Sequence, residues 1–217
     1  MESPQDQGRE RVSEAGLMHP NSAFRGTDPE FRPELVGGNM FAAIFLQTPM
    51  GPKVAHAPLY FSGPHTAQFH LAKNNTLTPY LDGAQALAVI NGPDDYISAR
   101  WYAADNQVPT WNYVAFEFEG IAKRVEEEKL PDLLANLSAE HEDRITSGLP
   151  WTMDKMDYSA VRALLRGIVG FEMSDTSVRE TIKLSQNKPV EERQRIIDGL
   201  EAEGSTAMVK LMQAFQK

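Results

Sequence analysis

Cysteine is absent from the 217 residues. That removes disulfides, thiolate metal sites, iron–sulfur clusters and cysteine nucleophiles, and it suits a reducing compartment. No apolar run approaches the roughly eighteen residues that a membrane-spanning helix needs. The patterns G-x-S-x-G, H-E-x-x-H, G-x-G-x-x-G and the P-loop are also missing, so the familiar hydrolase, zinc-protease, dinucleotide and phosphate-loop readings have no support. Positive charge is scarce: 21 Lys and Arg stand against 30 Asp and Glu, a net charge of -9. Residues 1–156 hold 12 basic and 21 acidic side chains, whereas residues 157–217 hold 9 of each. Nucleic-acid affinity comes largely from basic patches, and no helix-turn-helix pattern stands out, so direct DNA contact is not expected.

What is present describes an ordinary soluble protein, 41% hydrophobic and 24% charged. Residues 1–17 are polar and lack an apolar h-region, so they read as a disordered extension and not as a secretory signal; the chain is expected in the cytoplasm. Thr27-Asp28-Pro29-Glu30 has the spacing of a capping box. Met40 to Gln47, Lys53 to Phe61 and Gln68 to Lys73 read as three strands of an antiparallel meander. A short helix through Leu77 to Leu81 follows, capped by Asn74 or Asn75. Ala84 to Ile90 is a fourth strand that stops at Asn91-Gly92-Pro93, and a long strand runs from Thr110 to about Val125. Several strands are apolar on both faces, which predicts closure into a barrel whose outside is covered by helices or a second subunit. Leu130, Leu133, Leu134 and Leu137 mark a helix, with Glu126-Glu127-Glu128 as its solvated start. A further helix is capped by Asp157. Gly167 and Gly170 bracket a turn, Val178 to Leu184 reads as a strand, and Pro189 and Gly204 open two amphipathic helices.

The densest unexplained chemistry is aromatic. Val114, Phe116 and Phe118 alternate with Ala115, Glu117 and Glu119, which puts Trp111 and Tyr113 on the wet face. Rings there need cover from a partner subunit, a flat ligand or the rest of the chain. Lys53, at a strand start, and Lys73, beside Asn74 and Asn75 at a strand end, supply two ammonium groups and several amides suited to one phosphate; solvated strand ends explain them too. Lys183-Leu184-Ser185-Gln186-Asn187-Lys188 stands just before a helix, where an anion site or a capping loop would both suit it. The five histidines, His19, His56, His65, His70 and His141, show no common metal-ligand spacing.

His19-Pro20, V-A-H-A-P at 54–58, F-H-L-A-K-N-N at 69–75, V-P-T-W-N-Y at 108–113, P-W-T-M-D-K-M at 150–156 and K-L-S-Q-N-K-P at 183–189 resemble the PaiB family. That family comprises FMN-binding negative transcriptional regulators with the split β-barrel fold shared with pyridoxamine phosphate oxidases. The resemblance implies an α+β chain: residues 18–150 as the FMN-binding split barrel, 151–217 as a helix-strand-helix part packed on it, and 1–17 as an added extension. It further implies a homodimer with flavin at the subunit interface. Lys53, Val54, Ala55 and His56 would line the cofactor, with His70, Lys73 and Asn74 on the next strand and its end, and Lys73 holding the phosphate. Trp111 and Asn112 would lie near the ring or dimer seam, and Lys183, Ser185, Gln186 and Asn187 would complete the site from either subunit. Pyridoxamine phosphate oxidases carry arginine where Lys53 stands, which is a departure at the phosphate. The function implied is a flavin-dependent or flavin-sensing regulator, acting through a partner protein. The alternative is an FMN-dependent oxidoreductase on a small molecule, for which no residue reads as general acid or base. A haem-handling barrel would need His56, His70 or His141 as axial ligand.

Overall fold

Side-chain alternation decides which way each strand faces. In the computed structural model, which describes residues 19–25 and 32–215 without the Asp175 side chain, β1 (Phe41–Thr48) turns Ala42, Ile44, Leu46 and Thr48 inward and leaves Phe41 and Phe45 outside. Its antiparallel partner β2 (Gly51–Pro58) sets Val54 opposite Phe45 and His56 opposite Ala43. Thr48 closes the hairpin: its hydroxyl donates to the Gly51 carbonyl at 2.7 Å and accepts from the Met50 N–H at 3.2 Å. The expected extension 1–17 and the capping box at Thr27 lie outside the described residues.

After Leu59 alone comes β3 (Tyr60–Gly63), which pairs with β4 (Thr66–Ala72). The chain continues through α1 (Thr78–Leu81), β5 (Ala84–Ile97), β6 (Thr110–Arg124), α2 (Leu130–Glu142), α3 (Tyr158–Leu165), β7 (Ile168–Lys183), α4 (Val190–Ala202) and α5 (Thr206–Ala214). The strand order is β2-β1-β5-β6-β7-β4-β3, and neighbours are antiparallel. β2 and β3 are therefore the two edges of the sheet, yet one residue joins them. Only a sheet curled until its edges meet satisfies both facts, so the strands close into a barrel. Leu59, fully buried, fixes the corner by donating its N–H to the Met40 carbonyl at 2.8 Å. The rings of Phe61 and Phe118 meet in the interior with centroids 4.9 Å apart. This is the α+β split barrel that the resemblance implied.

Four details differ from the sequence reading. Lys53 to Phe61 is not one strand of a meander, because the chain leaves one sheet edge and enters the other at Leu59. Asn91-Gly92-Pro93 does not end β5: pairing shifts from Asn91 opposite Ala115 to Asp94 opposite Tyr113, so the two residues between form a bulge and the ladder resumes to Ile97. Glycine is required there, since a Cβ on Gly92 would sit 2.9 Å from the Leu35 carbonyl oxygen. Gly167 and Gly170 do not bracket a turn; β7 runs unbroken from Ile168, and Gly170 serves instead as the close approach where Leu130 of α2 packs, its Cδ1 2.9 Å from where a Cβ would be. Finally, β7 lies between β6 and β4, so the barrel is incomplete at residue 150 and the division into 18–150 and 151–217 cuts off one of its strands.

The C-terminal helices join the same core through Ile196, Ile197, Leu200, Met208 and Met212. Buried Arg193 ties α4 to the end of α5 by donating to the Met212 and Phe215 carbonyls, each at 3.1 Å. Among the described residues, no helix is long and apolar enough to cross a membrane.

Candidate functional site

The strand registers sort the expected site residues into three places. On β2 the alternation divides four consecutive residues: Val54 and His56 face outward, while Ala55 is buried and half-buried Lys53 shares its inward phase. Lys53 lines a shallow depression with Phe45, Gln47, Leu87 and Glu119. His56 stacks on Phe41, centroids 6.1 Å apart. Phe41, Phe45 and Val54 are 53%, 43% and 45% exposed, so the outer face of β1 and β2 is an apolar surface that one chain leaves bare. Farther across the same face the surface becomes ionic: Arg179 donates to Glu117 at 2.9 Å and to Glu119 at 2.7 Å. These charge-assisted bonds to Arg179 hold the Glu119 carboxyl below its usual range.

At one end of β6, Trp111 is 53% exposed and meets Tyr96 of β5 edge-on, centroids 6.0 Å apart. Asn112 points the other way and is fully buried, accepting from the Ser185 hydroxyl at 3.0 Å and donating weakly to the Met212 sulfur at 3.5 Å. Lys183 donates to the Thr110 hydroxyl at 2.6 Å, and burial pushes its ammonium below the ordinary lysine range. The Ser185 backbone is left-handed, φ 56°. Gln186 accepts from the Leu184 N–H at 2.7 Å and donates to the Ala23 carbonyl at 2.9 Å. The run after β7 is thus a turn that ties the N-terminal segment to the barrel, in which Ser185 and Gln186 are occupied by internal bonds and Asn187 is exposed.

Lys73 and Asn74 lie exposed at the end of β4. There a cavity of about 400 Å³ opens between the end of β6, the start of β7, α2 and α3, and Lys73 lines it with Arg124, Arg162 and Arg166. The sequence reading did not include these arginines; the one signal was that Arg162 and Arg166, four apart on a helix, share a face. Twelve residues of β6 lie between Trp111 and Arg124, about 40 Å along the strand at the usual rise. Within one chain, the aromatic cluster and the Lys73 cluster are therefore not brought together.

The expected haem ligands are scattered. His56 is on the outer face, His141 is on α2 with Nε2 buried and unpartnered, and His70 is on β4 with Nδ1 in the same condition. Among the described residues, no group of three or more histidine, aspartate or glutamate side chains is placed to hold a metal ion. Burial lowers the His70 pKa below its ordinary value. The folded chain then takes up this proton later than the unfolded chain as pH falls, so the stability contribution is complete above the ordinary imidazole pKa of about 6.5 and is lost progressively below it. Thermal melts of His70→Gln should accordingly lose less Tm than the wild type between about pH 7 and pH 5; equal losses would assign the pH dependence elsewhere.

The comparisons with known proteins fit this geometry. A family model described as "Putative FMN-binding domain" matches residues 18–177. The protease synthase and sporulation protein PAI 2 of Bacillus subtilis is 28% identical over 197 residues, covering 88% of this chain and 94% of that protein. An uncharacterised protein of Emericella nidulans is 25% identical over 203 residues, covering 75% of this chain and 81% of its own. Among solved structures, the FAD and haem binding protein of Mycobacterium smegmatis superposes with a TM-score of 0.55 over 78% of each chain at 13% identity, which shows a shared fold. The described residues include both kinds of group that a flavin mononucleotide calls for, exposed aromatic rings and a cation-rich hollow, at opposite ends of β6. Since the matched stretch carries six strands and most of the seventh, the chain belongs to this FMN-binding, PaiB-like split-barrel family, and FMN is its cofactor.

Proposed function

We propose that the chain works as an FMN-binding homodimer whose flavin occupancy sets its action as a negative transcriptional regulator, exerted through a partner protein. The observation that carries the dimer is the bare apolar face of Phe41, Phe45 and Val54, a surface that a second copy covers by isologous packing. A twofold axis over that face would also bring the aromatic end of one chain toward the Lys73 end of its partner, supplying from two chains what one chain holds some 40 Å apart. In this arrangement Trp111 stacks on the ring, Lys73 and Asn74 meet the phosphate, and the outward residues of β2 seal the seam against water. FMN, when bound, supplies a ring system able to accept hydride or single electrons. The regulatory role is supported by the family resemblance, and action through a protein by the net charge of -9.

A second reading, an FMN-dependent oxidoreductase, is favoured by the exposure of Trp111, which leaves room for a small substrate over the ring. Two measurements on the flavin-loaded protein separate them. Regulation through a partner predicts no retention of promoter DNA at low salt and no bleaching of the flavin spectrum by NAD(P)H. Rapid bleaching would favour the oxidoreductase, and salt-sensitive DNA retention would overturn regulation without DNA contact.

A further inference from the structure

At the aromatic end of the barrel one lysine is held without a counter-charge. Lys183 ends β7 directly opposite Tyr113 of β6, so the two side chains share a face, and Trp111 is the diagonal neighbour within reach of a long side chain. Its Nζ extends to the start of β6 and donates to the Thr110 hydroxyl at 2.6 Å. Phe24 covers another side, with its ring centroid 5.8 Å from Nζ. Among the described residues Lys183 forms no ion pair. The carboxylate that the register brings toward this face, Asp94, stands one strand farther out, opposite Tyr113.

The groups around this amine are fixed by the backbone. Arg25 makes a bridge to Thr181 of β7, and Gln186 donates to the Ala23 carbonyl at 2.9 Å, so the short turn that carries Phe24 is tied down on both sides. The neighbouring cations are engaged elsewhere: the Arg25 guanidinium donates to the His19 and Pro20 carbonyls, and Lys188 donates to Gln107 at 2.7 Å. Burial lowers the Lys183 pKa, which enlarges the share of free amine at neutral pH. A desolvated lysine attacks carbonyl carbon, and a hydroxyl bonded to its nitrogen can pass protons.

We propose that Lys183 captures a small aromatic aldehyde as an imine, with Thr110 relaying protons and the rings of Phe24, Tyr113 and Trp111 holding the aldehyde. The Nζ lone pair forms the C–N bond while the carbonyl π pair moves onto oxygen. Thr110 passes a proton from nitrogen to that oxygen, the C–O bond breaks, and water leaves with both N–H protons, so that a C=N bond remains. No oxidant or reductant is consumed. The three rings select an aromatic ligand, and the absence of a carboxylate beside Nζ leaves the amine free to react. This site depends neither on flavin nor on the second subunit.

The test incubates the flavin-free full chain near neutral pH with benzaldehyde or with propanal, traps imines with cyanoborohydride and maps the adducts by peptide mass spectrometry. The exposed Lys123, Lys129 and Lys210 serve as references within the same chain. Lys183 should label several-fold faster than these three, and its preference for benzaldehyde over propanal should exceed theirs. Lys183→Arg, which keeps the positive charge, should remove this adduct and leave the reference lysines as they were. Thr110→Val should slow capture at Lys183 alone. Equal labelling at all four lysines would overturn the reactive amine, faster labelling without the benzaldehyde preference would overturn the aromatic ligand, and an unchanged rate in Thr110→Val would overturn the relay.

Discussion

Phe45→Glu should dissociate the proposed homodimer and weaken FMN binding with it. Phe45 stands on the outer face between Val54 of β2 and Leu87 of β5, 43% exposed in the single chain. An isologous interface repeats every substitution, so the dimer would bury two carboxylates among apolar groups without partners. An unpaired charge in such a setting costs several kcal/mol, enough to raise the dimer dissociation constant about a hundredfold or more. The measurement is sedimentation velocity over a concentration series, alongside an FMN titration. A variant as dimeric as the wild type would show that the subunits meet elsewhere.

The second large effect concerns barrel closure. Phe118→Ala should destabilise the chain by about 3–5 kcal/mol, the usual range for emptying a buried aromatic site. Phe118 is fully buried, and among the described residues its ring meets Phe116 on its own strand, centroids 6.5 Å apart, and Phe61 on β3, the sheet edge that closes against β2. Truncation therefore removes both packing within the sheet and the contact that helps hold its free edge. Urea denaturation reads the loss. A change below about 1 kcal/mol would mean that the interior collapses around the gap or that the ring carries little of the closure.

How far the residues announce this structure differs by element. β1 and β6 were legible because alternation over many residues leaves one consistent face, and Trp111 on the wet side follows from the same count. Barrel closure was legible as a demand, since strands apolar on both faces need cover. The route of closure was not: Leu59 sits in a continuous strand-like run, and only the pairing of its neighbours with different partners reveals the corner. Gly92-Pro93 and Gly170 carry the local chemistry of turns, and tertiary packing turned one into a bulge and the other into a close approach for Leu130. The resemblance pointed to Lys73, whereas Arg124, Arg162 and Arg166 did not stand out, because their nearness depends on strand ends and a helix far apart in sequence. Asn112 and Gln186 show the converse. Their amide groups suggested ligand contacts, and in the fold Asn112 bonds Ser185 while Gln186 holds the N-terminal segment.

The central claim is that this acidic split barrel binds FMN at a site shared by two copies. Its most direct test is an FMN titration of flavin-free protein above and below the dimer dissociation concentration. The predicted result is saturation at one flavin per chain where the protein is dimeric, with affinity falling as dilution separates the subunits; no saturable binding, or an affinity indifferent to dilution into monomers, would contradict it.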